Sequence, residues 1–274
     1  MKIILPLTLV LALASCTGNS TAAKKADTAP KKDTVKAVQK AKPAAEKMPE
    51  DAKLTAFCRF IAGMGDTLAF KANRTGAWRS FSAQNNGKWQ QLQTRVGKPI
   101  ETWVKGAGLE VANEPKTLFY PFAGGDFYYA HSFFPKQDTI IMIGLEPGGS
   151  IYNPDTVGAA TLADYYNSLQ HSMFFPHRLG FFRTKSMAVD FNKSILNGTM
   201  HTVLFYLARF KASVHYISHF DLDKNGGEIN TIAAAAMKKG QKKTAYRVGY
   251  SLPGDSAVRE VIYLSYDASN GNLS

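Results

Sequence analysis

The sequence predicts an α/β fold. The expected architecture is a mixed sheet holding a βαβ unit at about 117–145 and an antiparallel C-terminal part, with helices N-terminal and packed on the sheet. Three observations predict it. Two apolar strand-like runs flank a helical run within about 30 residues, the spacing of a βαβ unit. Two further runs, Thr244–Leu252 and Ala257–Tyr266, flank Pro253-Gly254-Asp255, a hairpin turn signal. Apolar residues at helical spacing dominate the segment before residue 111.

Along the chain, Lys53–Met64 carries helical spacing and ends near Gly63. Residues 85–110 read as two helices broken near Gly97–Pro99, and Trp78, Trp89 and Trp103 are packing anchors of this region. Lys116–Phe122 is a buried strand and Gly124-Gly125 a turn. Asp126–Phe134 is a helix with Asp126 as its N-cap, stopped by Pro135. Asp138–Leu145 is the second, parallel strand. Thr161–Phe174 and Lys193–Phe210 read as helices, and Ser213–Leu222 as a strand. On that strand Val214, Tyr216, Ser218, Phe220 and Leu222 share one face and His215, Ile217, His219 and Asp221 the other.

The N-terminus is an address. Lys2 precedes an apolar run, Ile3–Leu13, too short to span a bilayer core of roughly 30 Å and suited to a signal peptide. Leu13-Ala14-Ser15-Cys16 resembles the lipobox of bacterial lipoproteins. The resemblance implies cleavage of residues 1–15, acylation of Cys16 with palmitate-type chains, and anchoring without a spanning helix. Thr17 stands where an aspartate would resemble an inner-membrane retention signal, so the expected location is the outer membrane, facing the periplasm. Residues 16–53 form an Ala/Lys-rich tether. From Thr17 to Lys53 there are nine lysines, five acids and no aromatic residue, too little apolar surface to offset ordering entropy. Residues 54–274 form one α/β domain.

The 274 residues carry 33 Lys+Arg against 21 Asp+Glu, a formal charge of +12. The tether lysines supply part of this and suit anionic headgroups. An exported chain does not meet nucleic acid, so the membrane, through the lipid, is the partner expected, besides a protein or small molecule that the sequence does not identify. Two cysteines exclude a disulfide-rich scaffold and a thiolate-rich zinc site. Cys58, between Phe57 and Phe60, reads as a buried inert thiol. His215 and His219 are about 13 Å apart along a strand, too far to share one ion. Asp221–Gly226 resembles the start of a calcium loop, but the twelfth position is Ile232 rather than glutamate, so it reads as a polar turn. No metal and no cofactor is expected. The chain has no Walker loop, Gly-x-Ser-x-Gly elbow or His-Glu-x-x-His.

The candidate site follows from the βαβ unit, because ligands bind beyond the carboxyl ends of parallel strands. The loops Pro121–Asp126 and Leu145–Ser150 then lie side by side, bringing together Asp126, Glu146 and four glycines, Gly124, Gly125, Gly148 and Gly149. Glycines permit close backbone approach, and the helix start offers N–H groups. Gly124 and Glu146 are 22 positions apart, but a full Gly-x-Gly-x-x-Gly is absent. The expected function is ligand or envelope-component binding. The alternative is an enzyme using Asp126 and Glu146 in acid–base roles, with Arg183 holding an anion.

The runs Phe119–Ala130, Phe133-Phe-Pro135 and Gly144-Leu-Glu-Pro-Gly148 resemble an uncharacterised family of exported Gram-negative bacterial proteins. Phe181–Met187 with Phe205-Tyr-Leu-Ala-Arg209, and Tyr263–Ser269, are similar to further blocks of it. The resemblance covers roughly 54–274. It implies boundaries rather than a mechanism, and a C-terminus that stops short of the family's own.

Overall fold

A computed structural model describes residues 51–65, 69–108, 116–173, 195–238 and 243–266, which all belong to one compact unit, Pro43–Ser274. Among them the fold is α/β with a six-stranded mixed sheet in the order β1-β2-β6-β5-β3-β4.

Helix α1 spans Ala52–Ile61. The Asp51 carboxylate accepts the N–H groups of Lys53 and Leu54, which the first turn leaves unpaired. Helix α2 (Gly76–Leu92) is capped by Thr75 and runs through a π-helical turn, Gln93–Gly97, into α3 (Lys98–Gly106). The break expected at Gly97–Pro99 is thus a bulge. Proline has no N–H and its ring crowds the carbonyl four residues back, and one wider turn accommodates both.

Strand β1 (Thr117–Tyr120), helix α4 (Phe127–Phe133) and strand β2 (Thr139–Gly144) form the βαβ unit, with β1 and β2 parallel and Tyr120 opposite Met142. Helix α5 spans Ala159–Ser172, and α6 spans Met200–Arg209. Strand β3 (Ser213–Leu222) pairs antiparallel with β4 (Glu228–Ala233) and with β5 (Ala245–Ser251), and β5 with β6 (Arg259–Ser265). Strand β6 pairs parallel with β2 and joins the two halves of the sheet.

Strict alternation along β3 fails at a bulge between Val214 and Tyr216. It lets Val214 join Ile217 in the core, whereas alternation assigns them to opposite faces. Phe220 instead packs under the Arg247 guanidinium. Strand β4 escaped the sequence reading because its residues are nearly all exposed, as befits a sheet edge.

The core lies between one sheet face (Ile140, Met142, Tyr246, Val248, Tyr250, Val261, Tyr263) and the helices. Every residue of α6 is buried, so it is the central helix of the domain. Cys58 is buried in this core, and burial pushes its thiol far up, consistent with an inert residue. Trp78 anchors as expected, donating to the Phe60 carbonyl at 3.2 Å, while Trp103 is 56% exposed.

Candidate functional site

Parallel pairing of β1, β2 and β6 brings their carboxyl ends to one side of the domain. After β1 the chain turns, Phe122 N–H donating to the Tyr120 carbonyl at 2.7 Å, and enters a 3-10 turn, Gly124–Asp126, that leads straight into α4. After β2 comes Glu146. A Cβ on Gly144 would lie 2.5 Å from the Tyr263 hydroxyl, 2.7 Å from Glu146 Oε2 and 3.1 Å from Ala123 Cα. The first loop therefore packs on the end of the second strand, with β6 supplying Tyr263.

Asp126 holds the N-cap position but does not cap. Its backbone is near-helical (φ −78°, ψ 2°) and its side chain makes no capping bond. A capping residue needs extended backbone to turn its side chain over the helix start, and the preceding 3-10 turn removes that geometry.

The glycines are spent on contacts within the protein. Gly124 faces the Thr199 side chain and Gly125 is buried. Gly148 lies on the Tyr246 ring, and Gly149, at φ +86°, abuts Asn197 and Gly198. This lets the start of α6 press on the second loop, with Thr199 N–H donating to the Pro147 carbonyl at 3.0 Å and Met200 N–H to the Gly148 carbonyl at 2.9 Å. Asn197 and Ser150 exchange two bonds of 2.9 Å. The His219 ring bonds the Gly149 carbonyl at 2.8 Å, and the His201 ring the Ser150 carbonyl at 2.9 Å.

Within this frame Glu146 is only 1% exposed. The Tyr263 hydroxyl donates to its backbone oxygen at 2.8 Å and reaches Oε2 at 3.4 Å, while Oε1 has no partner among the described residues. Burial raises the Glu146 carboxyl above its ordinary range. Burial, and then the charge of Glu146, push Asp126 up to about 6. The Asp126 charge in turn raises the hydroxyls of Tyr120 and Tyr129, whose own burial is the larger cause. A carboxyl near 6 exchanges a proton close to neutral pH, and its neighbour offers an uncommitted oxygen.

Tyr263, Tyr246, Thr199 and His219 were not anticipated as parts of this site. One signal was available: a hairpin centred on Gly254-Asp255 sets Tyr246 opposite Tyr263, and their rings stack at 5.3 Å. Arg183 and Cys16 lie outside the described residues. His215 bonds Ser251 at 2.8 Å, so the two strand histidines serve separate partners. The hairpin carboxylates are engaged as well, Asp221 by Lys243 at 2.6 Å and Asp223 by the N–H groups of Asn225 and Gly227. No group of three His, Cys, Asp or Glu among the described residues is arranged to hold a metal ion. No helix among them is long and apolar enough to cross a membrane.

Exposed apolar residues follow each parallel strand: Phe122 after β1 (54% exposed), Leu145 after β2 (63%) and Tyr266 after β6 (48%). Phe122 lies in the loop that leads to Asp126, Leu145 precedes Glu146, and the Tyr266 N–H donates to the Gly144 carbonyl at 2.9 Å, so apolar surface borders the carboxyl pair. No family model matches the chain, and no curated protein or solved structure is similar to it.

Proposed function

We propose that this chain is a lipid-anchored protein of the bacterial outer membrane, facing the periplasm. Its α/β domain binds a small molecule or envelope component at the ends of β1, β2 and β6. The anchor rests on the lipobox-like Leu13-Ala14-Ser15-Cys16. The observation that carries the site is the buried Glu146 beside Asp126, with Oε1 unpartnered. A buried acceptor without a donor costs about 1–3 kcal/mol, and a ligand hydroxyl or ammonium group relieves that cost. The apolar margin at Phe122, Leu145 and Tyr266 suits a ligand that also carries an apolar face.

A second reading, an acid–base enzyme at the same pair, is favoured by the Asp126 carboxyl near 6, poised to donate or accept a proton at neutral pH.

Two experiments test these readings. Cys16→Ser is expected to abolish palmitate labelling, and labelling that survives the change refutes the anchor. For the site, thermal-shift screening of the protein against sugars, polyamines and peptide fragments is repeated on Asp126→Asn and Glu146→Gln. Stabilisation by a ligand that both variants lose supports the site. Stabilisation that both variants retain places the ligand elsewhere. Turnover of that ligand, lost in Asp126→Asn with binding kept, decides for the enzyme.

A further inference from the structure

Helix α4 starts at the crevice and runs back along the core face of the sheet toward the amino ends of β2 and β6, where Arg259 donates to the Pro135 carbonyl. There, beside the C-terminal end of α6, the domain opens a cavity of about 330 Å3 lined by Gln93, Gly97, Val104, His131, Ser132 and Phe210. The volume falls at the small end of ligand sites, which run roughly 300–1,000 Å3. It shares no residue with the carboxyl pair.

Two features of its wall are unusual. The first is the π-helical turn Gln93–Gly97, which contributes both of its ends to the lining. Such turns persist against the better α-helical ladder and recur at functional sites. Here Gln93 donates to the Tyr128 hydroxyl at 3.2 Å, and a Cβ on Gly97 would lie 2.8 Å from that same oxygen. The second is His131. It is 7% exposed, its Nδ1 has no hydrogen-bond partner among the described residues, and its ring lies 4.4 Å from that of Phe210. A buried imidazole nitrogen without a partner is a group a ligand satisfies.

The chemistry of the lining selects the ligand. Val104, Phe210 and Pro135 offer an apolar wall, while Ser132, Gln93 and His131 offer polar groups. Three charged side chains complete it: Lys136, and Lys105 paired with Glu101 at 2.7 Å. The sum is one positive charge. Beyond the lining, Arg259 is tied to Asp255 and to the Pro135 carbonyl. We propose that this cavity is a second binding site, for a small organic monoanion with an apolar body. The anionic head meets Lys136 and the His131–Ser132 edge, and the body lies on Val104 and Phe210.

The test uses the full chain and two probes of equal shape, 3-phenylpropionate and its uncharged amide, followed by saturation-transfer NMR and titration. Saturable binding of the carboxylate, weaker by about tenfold for the amide and for Lys136→Glu, is the expected result. Lys136 is exposed, so its replacement leaves the fold intact. Ser132→Trp fills the cavity and should abolish binding, whereas Asp126→Asn and Glu146→Gln should leave it unchanged. Equal binding of acid and amide overturns the charge assignment. Absence of saturable binding, or binding indifferent to both Ser132→Trp and Lys136→Glu, overturns the site.

Discussion

At Asp126, burial and a neighbouring charge act in the same direction, and both work against the ionised form. The folded-state pKa of about 6 lies above the ordinary aspartate value near 4. Between those values the unfolded chain has released its proton and the folded one has not, so this residue's contribution falls as pH rises through about 4 to 6. Above the window the carboxylate is a liability of up to about 3 kcal/mol. Asp126→Asn is therefore expected to raise the melting temperature at neutral pH and to change it little at pH near 4. A lowered melting temperature at neutral pH would show that the carboxylate has a stabilising partner. Asn keeps the shape of the side chain, so the charge alone is tested. Nothing in the sequence near Asp126 separates this state from an ordinary N-cap. The difference arises from the 3-10 turn before it and from Glu146, twenty positions away.

Among the elements, α1 is tied to β3 at Val214, whose carbonyl accepts the Asp51 N–H at 2.9 Å. Strand β4 pairs only with the later part of β3, from Ser218 on, and at Val214 the Thr55 hydroxyl takes its place, accepting the Val214 N–H at 2.9 Å. Thr55 is 2% exposed, so water does not replace it. Thr55→Val keeps the volume and orphans that N–H, a cost of about 1–3 kcal/mol, or about 2–4 °C of melting temperature per kcal/mol in a domain of this size. Thr55→Ser should recover most of the loss in a thermal melt. A second tie joins the end of α1 to α6: Arg209 donates to the Ala62 carbonyl at 2.5 Å and to Asn86 at 2.6 Å. The sequence made β3, the β5–β6 hairpin and the βαβ unit legible, because apolar periodicity and turn residues are local signals. It did not make the β3 bulge, the π turn or β4 legible. A bulge depends on what the partner strand offers, and an edge strand with polar faces has no periodicity to read. The crevice was legible in part. Loop adjacency followed from parallel pairing, whereas the tyrosine and threonine lining depended on how α6 docks.

Over the whole molecule, buried histidines set the response to acid. His131 and His201 both lie near pKa 4, held down chiefly by burial, against about 6.5 when unfolded. Below about 6.5 the unfolded chain takes up protons that the fold refuses, so stability is lost as pH falls from about 6.5 to about 4. Each of the two imidazoles loses on the order of 3 kcal/mol across that window, against the opposite trend of Asp126 and Glu146. The melting temperature should fall across that window, and His201→Gln should flatten the fall. A flat profile in the parent protein would show that the imidazoles reach solvent before the fold opens.

The strand order carries a consequence for how the chain assembles. Strand β6 is the last of the described strands to be synthesised, yet it lies third in a sheet of six, between β2 and β5. Its parallel partnership joins Thr139 to Glu260, more than a hundred residues apart in the chain. Until it arrives, β1–β2 and β5–β3–β4 are two separate ribbons, and β2 and β5 each show an unpaired inner edge. Closing so long a loop carries its entropic cost before any contact repays it, which makes the final step slow. Among the described strands the sheet closes when β6 enters the middle, and Tyr263 on that strand completes the Glu146 site in the same event.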